Sequence, residues 1–245
     1  MQVAQVMVSA FLEATLKGNE GYLPLFQNVQ TGRDWLPENF YQNAYADSDM
    51  TVPAAFEEDV DVTTGTGLGV RISAQNLATW QEDHLLTKWG EMDENGAVLL
   101  GWGRPGEDAA FILDLPESGY GLDLTDELVF SVAQAEGESD QERLTGLVDF
   151  TVELVDSEGE AAALPLSSVA PLQPQWMAEI RRLTFLTNEK TSEPILQTYL
   201  FSLEEFVRIN PDLDNEHLTQ VRLVFNLTEE GEIWLDNLGF KVNGE

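Results

Sequence analysis

Two-residue alternation of apolar and polar side chains constrains this chain more than any other feature. Val148, Phe150, Val152 and Leu154 alternate with Asp149, Thr151 and Glu153, and Val221, Leu223 and Phe225 alternate with Arg222, Val224 and Asn226. Successive side chains of an extended strand point to opposite faces, so this pattern predicts strands with one face buried. After Thr228-Glu229-Glu230-Gly231 the pattern resumes with Ile233, Leu235 and Leu238 around Trp234, Asp236 and Asn237. Leu218 to Phe240 therefore reads as two antiparallel strands on a short turn, a closing β-hairpin.

Further candidate strands lie at Phe56–Val62, Val70–Ile72, His84–Trp89, Ala97–Trp102, Ala110–Leu115, Leu128–Val132, Arg182–Thr187 and Ile195–Phe201, with turn residues between them. Short strands at this spacing predict an all-β fold, a jelly-roll-like antiparallel β-sandwich. The sandwich is expected over residues 54–245. It is preceded by a helical segment at 1–29, in which Val3, Val6, Met7, Ala10, Phe11 and Ala14 recur at spacings of three and four, and by a connector at 30–53. The scattered Trp35, Tyr41 and Tyr45 of that connector are read as anchors onto the chain's own surface. Ser202-Leu203-Glu204-Glu205 has a capping-box spacing and predicts a short helix to about Asn210, before Pro211.

The chain carries 44 acidic and 12 basic residues in 245, a formal charge of −32. Such a surface repels phosphate backbones and anionic headgroups, which argues against nucleic-acid binding and peripheral membrane attachment. It matches an acid-rich surface adapted to high salt, where screening acts over about 3 Å at 1 M. With 43% hydrophobic content and six tryptophans, disorder is not the meaning of the charge. No apolar run reaches the length of a membrane span, so no membrane insertion is expected, and the first residues lack a signal-peptide pattern. The absence of cysteine removes disulfides and thiolate chemistry and leaves the compartment open.

Catalytic signals are sparse. There is no Gly-x-Ser-x-Gly elbow, and His84 and His217 are the only histidines, neither beside a serine motif. Gly65-x-Gly67-x-Gly69 lacks the Lys-Ser/Thr of a phosphate loop and reads as a turn. With so many carboxylates, pairs spaced for glycoside hydrolysis carry no signal. Calcium has a clearer physical basis, because Asp236 beside Glu57, Asp59 or Asp61 would offer hard oxygen ligands if the first and last strands are neighbours. Trp89 and Trp176 fall at strand or loop ends, where a flat aromatic face could stack on a sugar ring; the competing reading places both in the core.

Asn76-Leu77-Ala78-Thr79-Trp80-Gln81-Glu82, Leu99-Leu100-Gly101-Trp102, Phe201-Ser202-Leu203-Glu204-Glu205-Phe206 and Ile233-Trp234-Leu235-Asp236-Asn237-Leu238-Gly239-Phe240 together resemble the C-terminal β-sandwich modules of some bacterial α/β-hydrolases. Those modules look like galactose-binding-like or carbohydrate-binding jelly rolls. The resemblance implies a structural calcium on the last-strand aspartate, Asp236. Val8 to Gly18 is similar to the last helix of the hydrolase domain itself, whose nucleophile, acid and histidine would lie upstream of Met1.

These readings converge on a non-catalytic accessory module that binds a ligand or substrate surface, with carbohydrate as the first candidate and a hydrolase domain as the natural partner. Two rivals remain at this stage. One is a purely structural domain that stabilises or positions a partner hydrolase, and the other is a free-standing carboxylate-dependent hydrolase.

Overall fold

The computed structural model describes residues 2–57, 59–87, 91–103, 108–135, 147–178 and 191–243. Thirteen strands are assigned among them: β1 Met50–Ala54, β2 Arg71–Gln75, β3 Thr79–Leu86, β4 Met92–Trp102, β5 Ala109–Asp114, β6 Glu127–Gln134, β7 Thr151–Asp156, β8 Ala161–Pro165, β9 Met177–Ala178, β10 Thr191–Ser192, β11 Gln197–Ser202, β12 Leu218–Phe225 and β13 Gly231–Lys241. One sheet runs β11-β6-β13-β4-β3 with β1 also on β13, a second runs β2-β5-β12-β7-β8, and β9 pairs with β10 alone. All pairings are antiparallel. This is the β-sandwich that the alternation implies.

The core lies between the sheets. Phe111 and Leu113 of β5, Val221, Leu223 and Phe225 of β12, and Val152 and Leu154 of β7 meet Phe130 and Val132 of β6, Ile233 and Leu235 of β13, and Tyr199 and Phe201 of β11. Trp102 of β4 stacks on Phe225 across the gap, with ring centroids 4.3 Å apart and planes inclined by 20°. Each fully buried aliphatic or aromatic side chain contributes about 1.5–3 kcal/mol of transfer free energy. Burial alternates along most of β12, whereas β5 and β6 are buried on both faces.

The expected closing hairpin does not form. β12 pairs with β5 and β7 in one sheet, whereas β13 pairs with β4, β6 and β1 in the other, so residues 226–230 cross between layers. Strands facing one core from opposite sheets bury the same alternate positions as two strands of a hairpin, so periodicity alone does not separate the cases. The crossing is pinned by Thr228. Its hydroxyl accepts from Asp149 N–H at 2.8 Å and donates to Asp149 C=O at 3.0 Å, and Trp102 Nε1–H donates to Thr228 C=O at 2.8 Å. Thr228→Val removes the two hydroxyl bonds and is expected to cost about 1–2 kcal/mol. Urea titration of the variant against the parent measures it, and an unchanged midpoint would show that the crossing does not depend on this pin.

Other local readings shift in detail. The strand expected from His84 is β3 and starts at Thr79, while the readings at Trp89 and at Arg182–Thr187 lie outside the described residues. The short helix forms as α3 after two earlier helices, α1 Gln2–Lys17 and α2 Pro24–Gln27, and spans Leu203–Ile209, with Asn210 at its C-cap. Ser202 precedes it without a side-chain capping bond, so burial of Leu203 and Phe206 holds α3 in place of the capping box.

The N-terminal helix folds back on its own connector. Ala10, Leu25, Val29 and Leu36 form a separate small core, against which Val3, Val6 and Met7 also pack. Phe11, expected on the buried stripe, is 54% exposed and touches Phe26 edge-on. Asn43 ties this unit down: its side-chain amide donates to Phe26 C=O and Gln27 C=O, both at 3.0 Å, and its carbonyl accepts from Thr198 N–H of β11 at 3.1 Å. Among the described residues no helix is long and apolar enough to cross a membrane.

Candidate functional site

Two places on this scaffold carry more than packing. The first is made by the last strand. One long edge of β13 is shared: β4 pairs with its first half, from Gly231↔Trp102 to Leu235↔Val98, and β1 with its second half, from Leu238↔Ala54 to Lys241↔Met50. Gly239 allows this, since a Cβ there would lie 2.1 Å from Thr51 C=O. Asp236 and Asn237 occupy the hand-over between the two partners. The ladder to β6 is bulged there, and Asn237 adopts φ 53°.

The carboxylate of Asp236 is buried in this gap, with 1% of the residue exposed. Its Oδ2 accepts from Asn95 Nδ2 at 3.1 Å and from Asn237 Nδ2 at 2.6 Å, while its Oδ1 is buried without a hydrogen-bond donor. Burial pushes the Asp236 carboxyl up to about 6; the Asn95 amide and Asn237 N–H pull it down, and nearby Glu57 pushes it further up. The chain leaving β1 brings Glu57 to β4, where its Oε1 accepts from Gly96 N–H at 2.9 Å. Phe56, at φ 55°, turns its carbonyl onto Gly96, where a Cβ would lie 2.3 Å from that oxygen. The strand expected over Phe56–Val62 does not form among the described residues; the neighbour of β13 is β1, and Glu57, just beyond its end, lies close enough for its charge to act on Asp236. Asp59 does not join them; it accepts from Asp61 N–H at 2.7 Å and from Thr64 Oγ1 at 3.1 Å within its own loop. Among the described residues no three His, Cys, Asp or Glu side chains are grouped as for a metal.

The second place contains Trp176, which is 46% exposed and therefore not a core residue. Phe40 of the connector, 60% exposed, meets it edge-on with centroids 5.8 Å apart. Together with Gln173, Pro174 and Gln175 they line a hollow of about 270 Å³. A narrower depression between Trp176, Gln42 and Ile195 reaches β6 at Ala133, whose partner on β13 is Trp234. Trp234 alternates with the buried Ile233 and Leu235 and lies on the face of the sheet turned away from the core. Aromatic faces beside amide side chains suit a ligand with apolar ring faces and many hydroxyls.

Trp89, the other tryptophan singled out by sequence, lies outside the described residues. Phe40 was missed because nothing local separates it from its neighbours: Tyr41 packs on the small N-terminal core, and the Tyr45 backbone exchanges hydrogen bonds with Thr198 Oγ1 of β11 at 3.0 and 3.2 Å. His84 stands on edge strand β3, and His217 is exposed beside Asp214 Oδ2 at 2.8 Å.

No protein family model matches the sequence, and no curated protein matches it. Solved structures do share the fold. An exo-β-agarase structure aligns over 81% of this chain and 26% of its own at 11% identity, with a TM-score of 0.51. A family 30 carbohydrate-binding module of a Clostridium thermocellum cellulosomal cellulase aligns over 72% of this chain and 93% of its own at 11% identity and TM-score 0.49. A family 11 carbohydrate-binding module from the same organism aligns over 81% and 97% at 9% identity and TM-score 0.45. At these identities the likeness is one of fold.

Proposed function

We propose that this chain is a non-catalytic accessory module that binds carbohydrate. The observation that carries the reading is the exposed Trp176–Phe40 pair above a hollow edged by glutamine amides. Large aromatic side chains are normally buried; two held apart from the core and facing solvent together form a stacking platform. Gln173 and Gln175 supply donors and acceptors for hydroxyls at the platform's rim. Isothermal titration of the full chain against soluble agarose, mixed-linkage β-glucan and xyloglucan tests this. Binding of at least one of them is expected, weakened at least tenfold by Trp176→Ala with the melting temperature unchanged. Binding untouched by that substitution would sink the site.

Within the same reading, Asp236 and Glu57 hold a structural Ca²⁺. The buried, donorless Oδ1 of Asp236 is what fits the ion, since a hard divalent cation supplies the missing partner and offsets the second carboxylate. Asn95 and the Phe56 carbonyl add neutral oxygens at the same gap. The ion ties the end of β1 to β4 and β13; it takes no part in binding the sugar.

A second reading is favoured by one feature of α1. Val8, Phe11, Leu12 and Leu16 are 57%, 54%, 44% and 77% exposed and share one stripe opposite the half-buried Val6 and the buried Ala10. Such a face suits a structural role against a partner hydrolase. Failure to bind any glycan in the same titrations, with Trp176 intact, would favour it.

A further inference from the structure

We infer that the N-terminal helical unit is one wall of the binding cleft, and that the cleft takes several consecutive units of a neutral polysaccharide. This rests on the carbohydrate reading of the Trp176 platform and extends it away from the β-sheets. Phe40 and Gln173 line the platform hollow and also a second hollow of about 780 Å³ on their other side. The two are therefore adjacent, with Phe40 and Gln173 standing between them. The first falls just below, and the second in the upper part of, the usual range of about 300–1,000 Å³ for a small-ligand site. A single sugar would leave most of this trough in water, whereas an oligosaccharide fills it.

The walls come from different units of the fold. Arg33, Leu36 and Phe40 belong to the N-terminal unit, and Pro171, Gln173 and Trp176 to the sandwich. The N-terminal wall is held in place. Leu36 is buried in the small core, Asn28 Nδ2 donates to Val169 C=O at 3.4 Å, and Asn43 bridges α2 to β11. Its geometry is thus set before any ligand arrives, which lowers the ordering cost of binding.

Charge selects the ligand class. In a chain of net −32, the lining of both hollows contains one acid, Glu38, and one base, Arg33, and so is neutral. Among the described residues Arg33 makes no ion pair, whereas Lys17, Arg208, Arg222 and Lys241 each pair with a glutamate. Its guanidinium is free to donate to neighbouring ring hydroxyls. The surrounding negative field disfavours uronates and sulfated glycans.

The test is titration of the full chain with agaro-oligosaccharides and mixed-linkage β-glucan oligosaccharides of two to six units, with oligogalacturonates as the charged comparison. Affinity for the neutral series is expected to rise at least tenfold from two to five units. Phe40→Ala should lower pentasaccharide affinity at least tenfold. Arg33→Ala should remove the gain with length, and Leu68→Ser, 98% exposed and away from the trough, should change affinity at no length. Melting temperatures report that each variant folds. Affinity that is flat with length, or insensitive to Arg33→Ala yet abolished by Trp176→Ala, would overturn the trough and leave the platform standing, and affinity insensitive to Phe40→Ala would overturn both. Preference for oligogalacturonate would overturn the neutral class. No binding by any series would overturn both the trough and the carbohydrate reading.

Discussion

Asp156→Ala is expected to lower stability by about 3–5 kcal/mol, among the largest losses any single substitution in this chain should produce. The side chain is 3% exposed at the end of β7 and works as an acceptor hub. Oδ1 takes N–H bonds from Glu158 and Glu160, both at 2.9 Å, and Oδ2 takes one from Asp214 at 3.0 Å. It thus joins the β7–β8 turn to the segment leading into β12. Truncation leaves these three backbone donors without their acceptor. Burial alone would raise the Asp156 carboxyl, but the backbone donors outweigh it and hold it below the usual aspartate value. The sign follows from linkage. A depressed folded-state value stabilises the protein above the unfolded value near 4, and this contribution is lost as pH falls through the folded value. The parent should lose stability below pH 4, and Asp156→Asn, which presents an amide donor to the Asp214 N–H or to the turn, should start less stable and show a shallower acid limb. Denaturant titrations between pH 2.5 and 7 measure both; an Ala variant within 1 kcal/mol of the parent would show that the hub is dispensable.

Calcium should raise the melting temperature of the parent chain and leave that of Asp236→Asn unmoved. An ion that binds only the folded state at 100 to 1,000 times its dissociation constant adds about 3–4 kcal/mol, which for a chain of this size is roughly 10 °C. In chelator, Asp236→Asn should melt at or above the parent, because it removes a buried carboxylate whose Oδ1 has no donor and which Glu57 opposes. Scanning calorimetry in chelator and in millimolar Ca²⁺ makes the comparison. Equal shifts in parent and variant would place any calcium effect elsewhere, and no shift in either would remove the ion from this gap. Glycan affinity should be the same at a fixed temperature well below both transitions, since the Asp236 gap and the Trp176 platform share no lining residue.

The same carboxylate shows how far sequence reasoning carries. Asp236 and Glu57 could be paired on paper only on the condition that a first strand over Phe56–Val62 lay beside the last; the first strand is Met50–Ala54, which pairs with β13, and Glu57 reaches Asp236 from the chain beyond it. What was not readable was why Asp59, two residues beyond Glu57, stays out: Thr64 and Asp61 N–H capture it within a turn. Competition between a local and a distant donor depends on loop geometry that spacing does not encode. Trp176 could be named a platform candidate from its place among prolines. Its partner Phe40 could not, because 136 residues separate them and neither carries a local mark of the contact.

By itself, the sequence determined that this chain buries alternate side chains in a layered β-fold behind an amphipathic helix. That follows from the period of two and the period near 3.6, which register which face of each element leaves water. Tertiary structure alone decided which sheet each strand enters. Leu218–Phe225 and Gly231–Lys241 look like a hairpin in one dimension, yet they face each other across the core. Period-two burial is identical for strands of the same sheet and of opposite sheets, and only the bonds at Thr228, the shared edge of β13 and the docking of Asn43 on β11 distinguish them.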